Sequence, residues 1–154
     1  MKVLRKILYP LVIIYFLITS VRNILYDLKL IKSKSFNFPV ISVGNLSVGG
    51  TGKTPMVEFL IRILKNNYEL AILSRGYRRK SKGFIISNPK SSTSCLGDEP
   101  FQIKKKFPSL SVAVDSNRMR GIQTLKDLKP LTQIIILDDA FQHRRIKPGI
   151  SILL

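Results

Sequence analysis

Residues 40–54 read Val40-Ile41-Ser42-Val43-Gly44-Asn45-Leu46-Ser47-Val48-Gly49-Gly50-Thr51-Gly52-Lys53-Thr54. Val40 to Val43 is a short, largely apolar run that ends in Gly44, the pattern of a buried strand. From Lys53 to Lys65 the period changes, with Val57, Leu60, Ile61 and Leu64 on one helical face. A strand, a glycine-rich loop and a helix in that order make a phosphate cradle. Glycines let backbone N–H groups approach phosphate oxygens, and the helix start adds a favourable dipole. This pattern assigns Ser47, Val48, Gly49, Gly50, Thr51, Gly52, Lys53 and Thr54 to nucleoside triphosphate binding, with ATP and magnesium (Mg2+) as cofactors. Lys53 reaches the β- and γ-phosphates, and the Thr54 hydroxyl binds magnesium. Ser47 stands where the usual pattern begins with glycine.

The remainder of the chain alternates strand and helix patterns. Leu70–Leu73 reads as a strand, Phe84–Ile86 as a short one and Leu110–Val114 as another. Asn117–Leu128 reads as a helix, with Asp115, Ser116 or Asn117 available as its cap. Ile134–Leu137 is the strongest strand signal, followed at once by Asp138 and Asp139, and Ile150–Leu154 opens a last strand. Unbroken apolar strands between helices indicate a parallel sheet covered on both faces. The expected fold class is α/β, a P-loop NTPase-like, mostly parallel sheet with flanking helices. The sheet is preceded by an apolar, membrane-associated N-terminal helix. The expected units are 1–35 for that helix and 36–154 for the nucleotide-binding domain. Phe36-Asn37-Phe38-Pro39 reads as a linker between them. The chain stops on a strand pattern, from which a truncated, longer protein is expected.

Ile7 to Val21 carries no charge, with Lys2, Arg5 and Lys6 before it and Arg22 after it. At 15 residues it is shorter than the about 20 that span a bilayer. A signal peptide lacks a convincing cleavage site here, and a buried core helix is the plainer alternative. The favoured reading is an interfacial anchor, with Tyr9, Tyr15, Phe16 and Tyr26 at headgroup level and flanking cations on anionic lipid. The apolar face is expected to continue through Ile24, Leu25, Leu28 and Ile31. Pro10 is read as lying near the helix start, where proline is tolerated.

The whole chain of 154 residues has a net charge of +17. That points to an anionic partner: nucleic acid, acidic membrane or a phosphorylated substrate. One cysteine, Cys95, and one histidine, His143, exclude an internal disulfide framework and Cys/His metal clusters. Three further groups stand out. Asp138 and Asp139 after the best strand are the expected magnesium partners. Gly97-Asp98-Glu99-Pro100 places two carboxylates in a loop before a helical stretch, suited to a base, a metal partner or an N-cap. Arg75 to Lys82 holds five cations in eight residues beyond a strand end, where ligands gather; it suits substrate phosphate or is a solvated basic loop. A lone histidine such as His143 is more often structural than catalytic.

Four ordered segments carry a family resemblance: Val43–Pro55, Ser74–Tyr77, Gly97–Pro100 and Asp138–Arg145. Together with the basic, apolar leader, they resemble the tetraacyldisaccharide 4'-kinase (lipid A 4'-kinase) family over essentially the whole chain. The resemblance implies transfer of the ATP γ-phosphoryl to the 4'-hydroxyl of tetraacyldisaccharide 1-phosphate, a lipid A precursor. It implies work on the membrane surface, at the cytoplasmic face of the bacterial inner membrane. Nucleic acid is not an expected partner, and no protein partner is inferred. It also implies Asp98 as base, Glu99 near the metal with Thr54, Asp138 and Asp139, and Arg75 facing the lipid headgroup. Ala140 stands where the family has glycine, and Arg78 where a small residue is usual. The family has a second half, with a histidine that works with the Asp98 equivalent. The alternative is a membrane-associated regulatory ATPase of the partitioning type, which typically has lysine at the position of Val48.

Overall fold

The computed structural model describes residues 2–45, 52–139 and 144–154, with residues 2–11 described by their backbone alone. Two compact units are formed, Met1–Lys34 and Ser35–Leu154.

The second unit is built on a six-stranded sheet. Its strands are β1 (Val40–Gly44), β2 (Leu70–Ser74), β3 (Ile85–Ile86), β4 (Ser111–Val114), β5 (Ile134–Asp138) and β6 (Ile150–Leu153). They lie in the order β3-β4-β2-β5-β1-β6, parallel except for the β3–β4 pair. Parallel neighbours need crossover connections, here α2 (Lys53–Leu64), the short α3 (Thr93–Leu96), α4 (Asp98–Lys106) and α5 (Arg118–Leu128). The apolar runs are strands with two buried faces, and successive residues serve opposite cores. Ile41, Val43, Ile72, Val112 and Ile136 pack with Val57, Leu60 and Ile61 of α2 and Ile103 of α4. Val40, Ala71, Leu73, Ala113, Ile135 and Leu137 pack with Ile122 and Leu125 of α5. The sheet is thus mostly parallel and covered on both faces.

Two local expectations are corrected, and an open choice is decided. Phe36 and Phe38 are not a free linker: their rings pair at 5.5 Å and pack against the second core. Aromatic area is worth burying even in a segment without regular structure. Asp98 and Glu99 are not in a loop but in the first turn of α4, and the N-cap is Gly97, with no side-chain cap. Asn117 is the residue that caps α5, accepting from the Arg120 N–H at 3.2 Å.

The first unit is dominated by α1 (Lys2–Asp27), 26 residues long, or about 39 Å at 1.5 Å per residue. It starts upstream of the uncharged run, so Pro10 lies in its interior and not near its start. Its end falls short of Leu28 and Ile31, because Lys29 adopts a left-handed φ of 59°. Val12, Ile13, Ile14, Tyr15, Phe16 and Leu17 are all exposed. Among the described residues, no helix is long and apolar enough to cross a membrane.

Candidate active site

The parallel strands bring their C-terminal ends to one edge of the sheet. Val43 of β1 lies beside Asp138 of β5, so the chain leaves these adjacent strands at neighbouring points. The proposed cradle residues Ser47, Val48, Gly49, Gly50 and Thr51 lie outside the described residues, as does His143. The described part begins at Gly52, which caps α2 in a left-handed conformation, φ 83°. Only glycine takes that conformation without cost. Lys53 and Thr54 then form the first turn of α2.

Lys53 Nζ donates to Asp139 Oδ1 at 2.7 Å. Burial works to lower the Lys53 pKa, but the hydrogen bond to Asp139 and the fields of Asp139, Asp138 and Glu99 outweigh it and raise it. Asp139 itself has φ 53°, a left-handed conformation that aspartate tolerates better than most residues. Asp138 is buried and accepts from the Ser74 hydroxyl at 3.2 Å. Burial, then repulsion from Glu99, pushes its carboxyl up to about 6, with Asp139 adding to the rise and Ser74 and Lys53 opposing it. Glu99 therefore exerts its field on both Lys53 and Asp138. Among the described residues, no group of three or more His, Cys, Asp and Glu side chains is placed to hold a metal ion by itself.

Gly97 brings α4 to this edge. Its φ and ψ are 88° and 166°, a region essentially restricted to glycine. A Cβ there would stand 2.6 Å from the Tyr77 carbonyl oxygen. Two backbones thus touch, and the turn carrying Asp98 and Glu99 is seated against the loop carrying Arg75, Gly76 and Tyr77.

Two residues that pattern reading passed over hold the edge together. Ser74 ends β2 and supports Asp138. Arg118, fully buried, forks between two strand ends, donating from Nη1 to the Asp115 carbonyl at 2.6 Å and from Nη2 to the Asp138 carbonyl at 3.1 Å. Burial lowers its pKa to about 10 against the fields of Asp138 and Asp139. An arginine after a helix cap reads in sequence as a surface cation. Ser74 is legible only as the first residue of the Ser74–Tyr77 motif.

Beyond β2 and β4 lies a cavity of about 530 Å³ lined by Arg75, Arg78, Arg79, Ser81, Lys82 and Ser116, with neighbouring loop residues. Arg79 is tied down, donating to the Gly83 carbonyl at 2.7 Å and to the Val114 carbonyl at 3.4 Å.

A mostly parallel sheet that gathers a helix-initiating lysine and adjacent aspartates at one edge defines an α/β protein, with a P-loop pattern in its sequence. Within that class, the chain belongs to the tetraacyldisaccharide-1-P 4'-kinase family, whose model matches residues 4–154. It is 59% identical over its whole length to the tetraacyldisaccharide 4'-kinase of Flavobacterium psychrophilum, covering 45% of that protein. It is 53% identical over 98% of its length to that of Bacteroides thetaiotaomicron, covering 40%. Among solved structures, the fold is similar to LpxK from Aquifex aeolicus in complex with ATP. The TM-score is 0.85 and the identity 44%, over 97% of this chain and 48% of that one. The chain spans less than half the length of the curated relatives it matches.

Proposed function

We propose that this chain serves ATP-dependent phosphoryl transfer to the 4'-hydroxyl of tetraacyldisaccharide 1-phosphate. The observation that carries the reading is the Lys53–Asp139 contact at the sheet edge, with Asp138 and Glu99 in the same field. Family membership supports it, as does the similarity to LpxK from Aquifex aeolicus in complex with ATP.

Residues 47–54 would cradle the triphosphate, and Lys53 would exchange its Asp139 partner for β- and γ-phosphate oxygens. Thr54, Asp138, Asp139 and Glu99 suit magnesium, because Asp138 is already crowded by Glu99 and Asp139, and a divalent cation relieves that repulsion. Bound magnesium would neutralise charge on the phosphates, and such a cation does not require a cage of three carboxylates. Asp98, in the turn seated by Gly97, is the base. It accepts the proton of the acceptor hydroxyl as that oxygen bonds to the γ-phosphorus, and the bond to the bridging oxygen breaks to release ADP. Arg75 faces the headgroup.

The exposed apolar side chains of α1 support a helix lying in the bilayer surface, where such a lipid resides. The cytoplasmic face of the inner membrane is the matching site, since ATP is available there.

The test is transfer of labelled γ-phosphate from ATP to tetraacyldisaccharide 1-phosphate in detergent micelles, with free phosphate counted in parallel. Labelled lipid is expected. Free phosphate without labelled lipid would support the regulatory ATPase instead.

A further inference from the structure

We infer that the cavity beyond β2 and β4 is a phosphate-monoester site, taking the phosphate that the acceptor carries away from its reacting hydroxyl. This rests on the kinase reading above. The lining is cationic, from Arg75, Arg78, Arg79 and Lys82, with hydroxyls from Ser81 and Ser116, and no acidic residue contributes.

The cations lack protein counter-charges. Among the described residues, ion pairs join Lys53 to Asp139, Lys106 to Glu58 and Arg120 to Asp115, leaving Arg75, Arg78 and Lys82 outside them. Asp115, whose field reaches Arg79, is buried and already gripped by both Arg120 Nε and Nη2 at 2.8 Å. It also accepts the Asn117 N–H at 2.9 Å, which leaves it little capacity for another cation. Like charges held in a concave site attract an anion more strongly than the same charges spread over a convex face.

Arg78 is fixed unusually for a loop arginine. Its backbone is left-handed, φ 61°, a strain that surface loops rarely keep without a reason. Its guanidinium stacks over the Tyr77 ring at 5.3 Å, which fixes the plane of a fork suited to two phosphate oxygens. Arg79 cannot turn toward a ligand, because it spans Gly83 and Val114. Arg78, held on the Tyr77 ring, and Lys82 form no ion pair among the described residues. A volume of about 530 Å³ suits a phosphate with part of its sugar. Arg75, Gly76 and Tyr77 line the cavity, and the backbone of Gly76 and Tyr77 packs on Gly97, which leads directly into Asp98 and Glu99.

The test compares tetraacyldisaccharide 1-phosphate with the same lipid bearing a free 1-hydroxyl, both in neutral detergent micelles. Binding is measured to the chain and to the double variant Arg78→Asn with Lys82→Ala, asparagine being chosen because it tolerates a left-handed backbone. The unmodified chain should prefer the phosphorylated lipid by about tenfold or more, as charge-assisted hydrogen bonds imply. The variant should lose that preference while keeping its circular dichroism and its ATP affinity. Equal affinity of the unmodified chain for the two lipids, or a preference that survives in the variant, overturns the inference. Displacement by inorganic phosphate at the lipid's own concentration assigns the cavity to free phosphate and overturns it too. An equal loss of binding to phosphatidylglycerol vesicles lacking disaccharide does the same, by assigning the cations to the bilayer. Transfer to both lipids with equal affinity removes this site but not the reaction. Phosphate-dependent binding without transfer removes the reaction and supports the site.

Discussion

The guanidinium of Arg118 donates to the main-chain carbonyl of Asp138 at 3.1 Å, from a side chain with no solvent contact worth the name. With its second bond to the Asp115 carbonyl, it fixes the end of β5 against the end of β4. A lysine is a point donor and cannot fork to both carbonyls. Arg118→Lys and Arg118→Leu should therefore both lose stability, by about 2–4 kcal/mol, since buried carbonyls are left unpaired. Thermal unfolding checks this, and a midpoint within a degree or two of the parent for Arg118→Lys would contradict the fork.

Lys53→Ala should reduce phosphoryl transfer by on the order of a hundredfold or more, the usual loss when a donor to developing phosphate charge is removed. The structure adds a second expectation. Asp139 loses its hydrogen-bond donor in this variant, so the same change also removes an ion pair from the unliganded site. Initial rates with the folded variant test both. Near-normal turnover would remove Lys53 from the phosphate cradle.

Gly97 and Gly83 offer a controlled pair. Both have positive φ, 88° and 73°. A Cβ at Gly83 meets nothing within 4 Å, whereas one at Gly97 meets the Tyr77 carbonyl at 2.6 Å. Gly83→Ala should cost about 1 kcal/mol, the conformational penalty alone, and Gly97→Ala at least about 2–3 kcal/mol because backbone must also move. Gly97→Ala should lower transfer as well, since Asp98 and Glu99 follow it directly. Urea unfolding of the two variants, compared with initial rates, separates crowding from strain. Equal destabilisation would mean that the two loops do not depend on that contact.

Much of this arrangement is legible in the chain, for identifiable reasons. Ile134-Ile135-Ile136-Leu137 can hardly be anything but a doubly buried strand, and the shift of period after Gly52 announces α2. Both signals come from hydrophobic burial, which dominates the energetics of each segment. Where local signals compete, pattern reading misplaces residues. Asp98 resembles an N-cap, yet the backbone contact at Gly97 moves the helix start one residue earlier. Phe36 and Phe38 flank Asn37 before Pro39 and read as linker, but both are partly buried against a core to which α5 and β5, distant in sequence, contribute. Arg118 is invisible for a different reason: its partners are main-chain carbonyls, and no residue type advertises those.

Asp115 sets an acid limit on stability. Burial raises its pKa, but the Arg120 pair and the Asn117 N–H outweigh this and leave it below the ordinary aspartate value. A depressed carboxyl contributes stability that is present above its unfolded pKa, near 3.8, and lost as pH falls through its folded value. Arg120→Gln removes the principal cause. The variant should be less stable than the parent at pH 7, and the gap should close below about pH 4. Because Arg120 is half exposed, salt should also shrink the gap. Unfolding measured at several pH values decides the matter; a gap that stays constant from pH 7 to pH 3 would show that the pair does not depress Asp115.

The exposed face of α1 yields the last expectation. Val12, Ile13, Ile14, Phe16, Leu17 and Ile18 each leave close to half or more of their surface uncovered, a cost in water that a bilayer surface removes at about 25 cal/mol per Å². Lys29, Lys32 and Lys34 follow the helix and add attraction to anionic lipid, which salt weakens. Deleting residues 1–34 should leave Ser35–Leu154 folded, because that unit contains both sheet cores. It should also abolish sedimentation with anionic vesicles at high salt, where the attraction of the remaining cations is screened. The parent chain should stay bound when salt is raised, since the apolar contribution survives screening. If the shortened chain still sediments at high salt, α1 is not the anchor, and the basic sheet edge would have to hold the membrane alone.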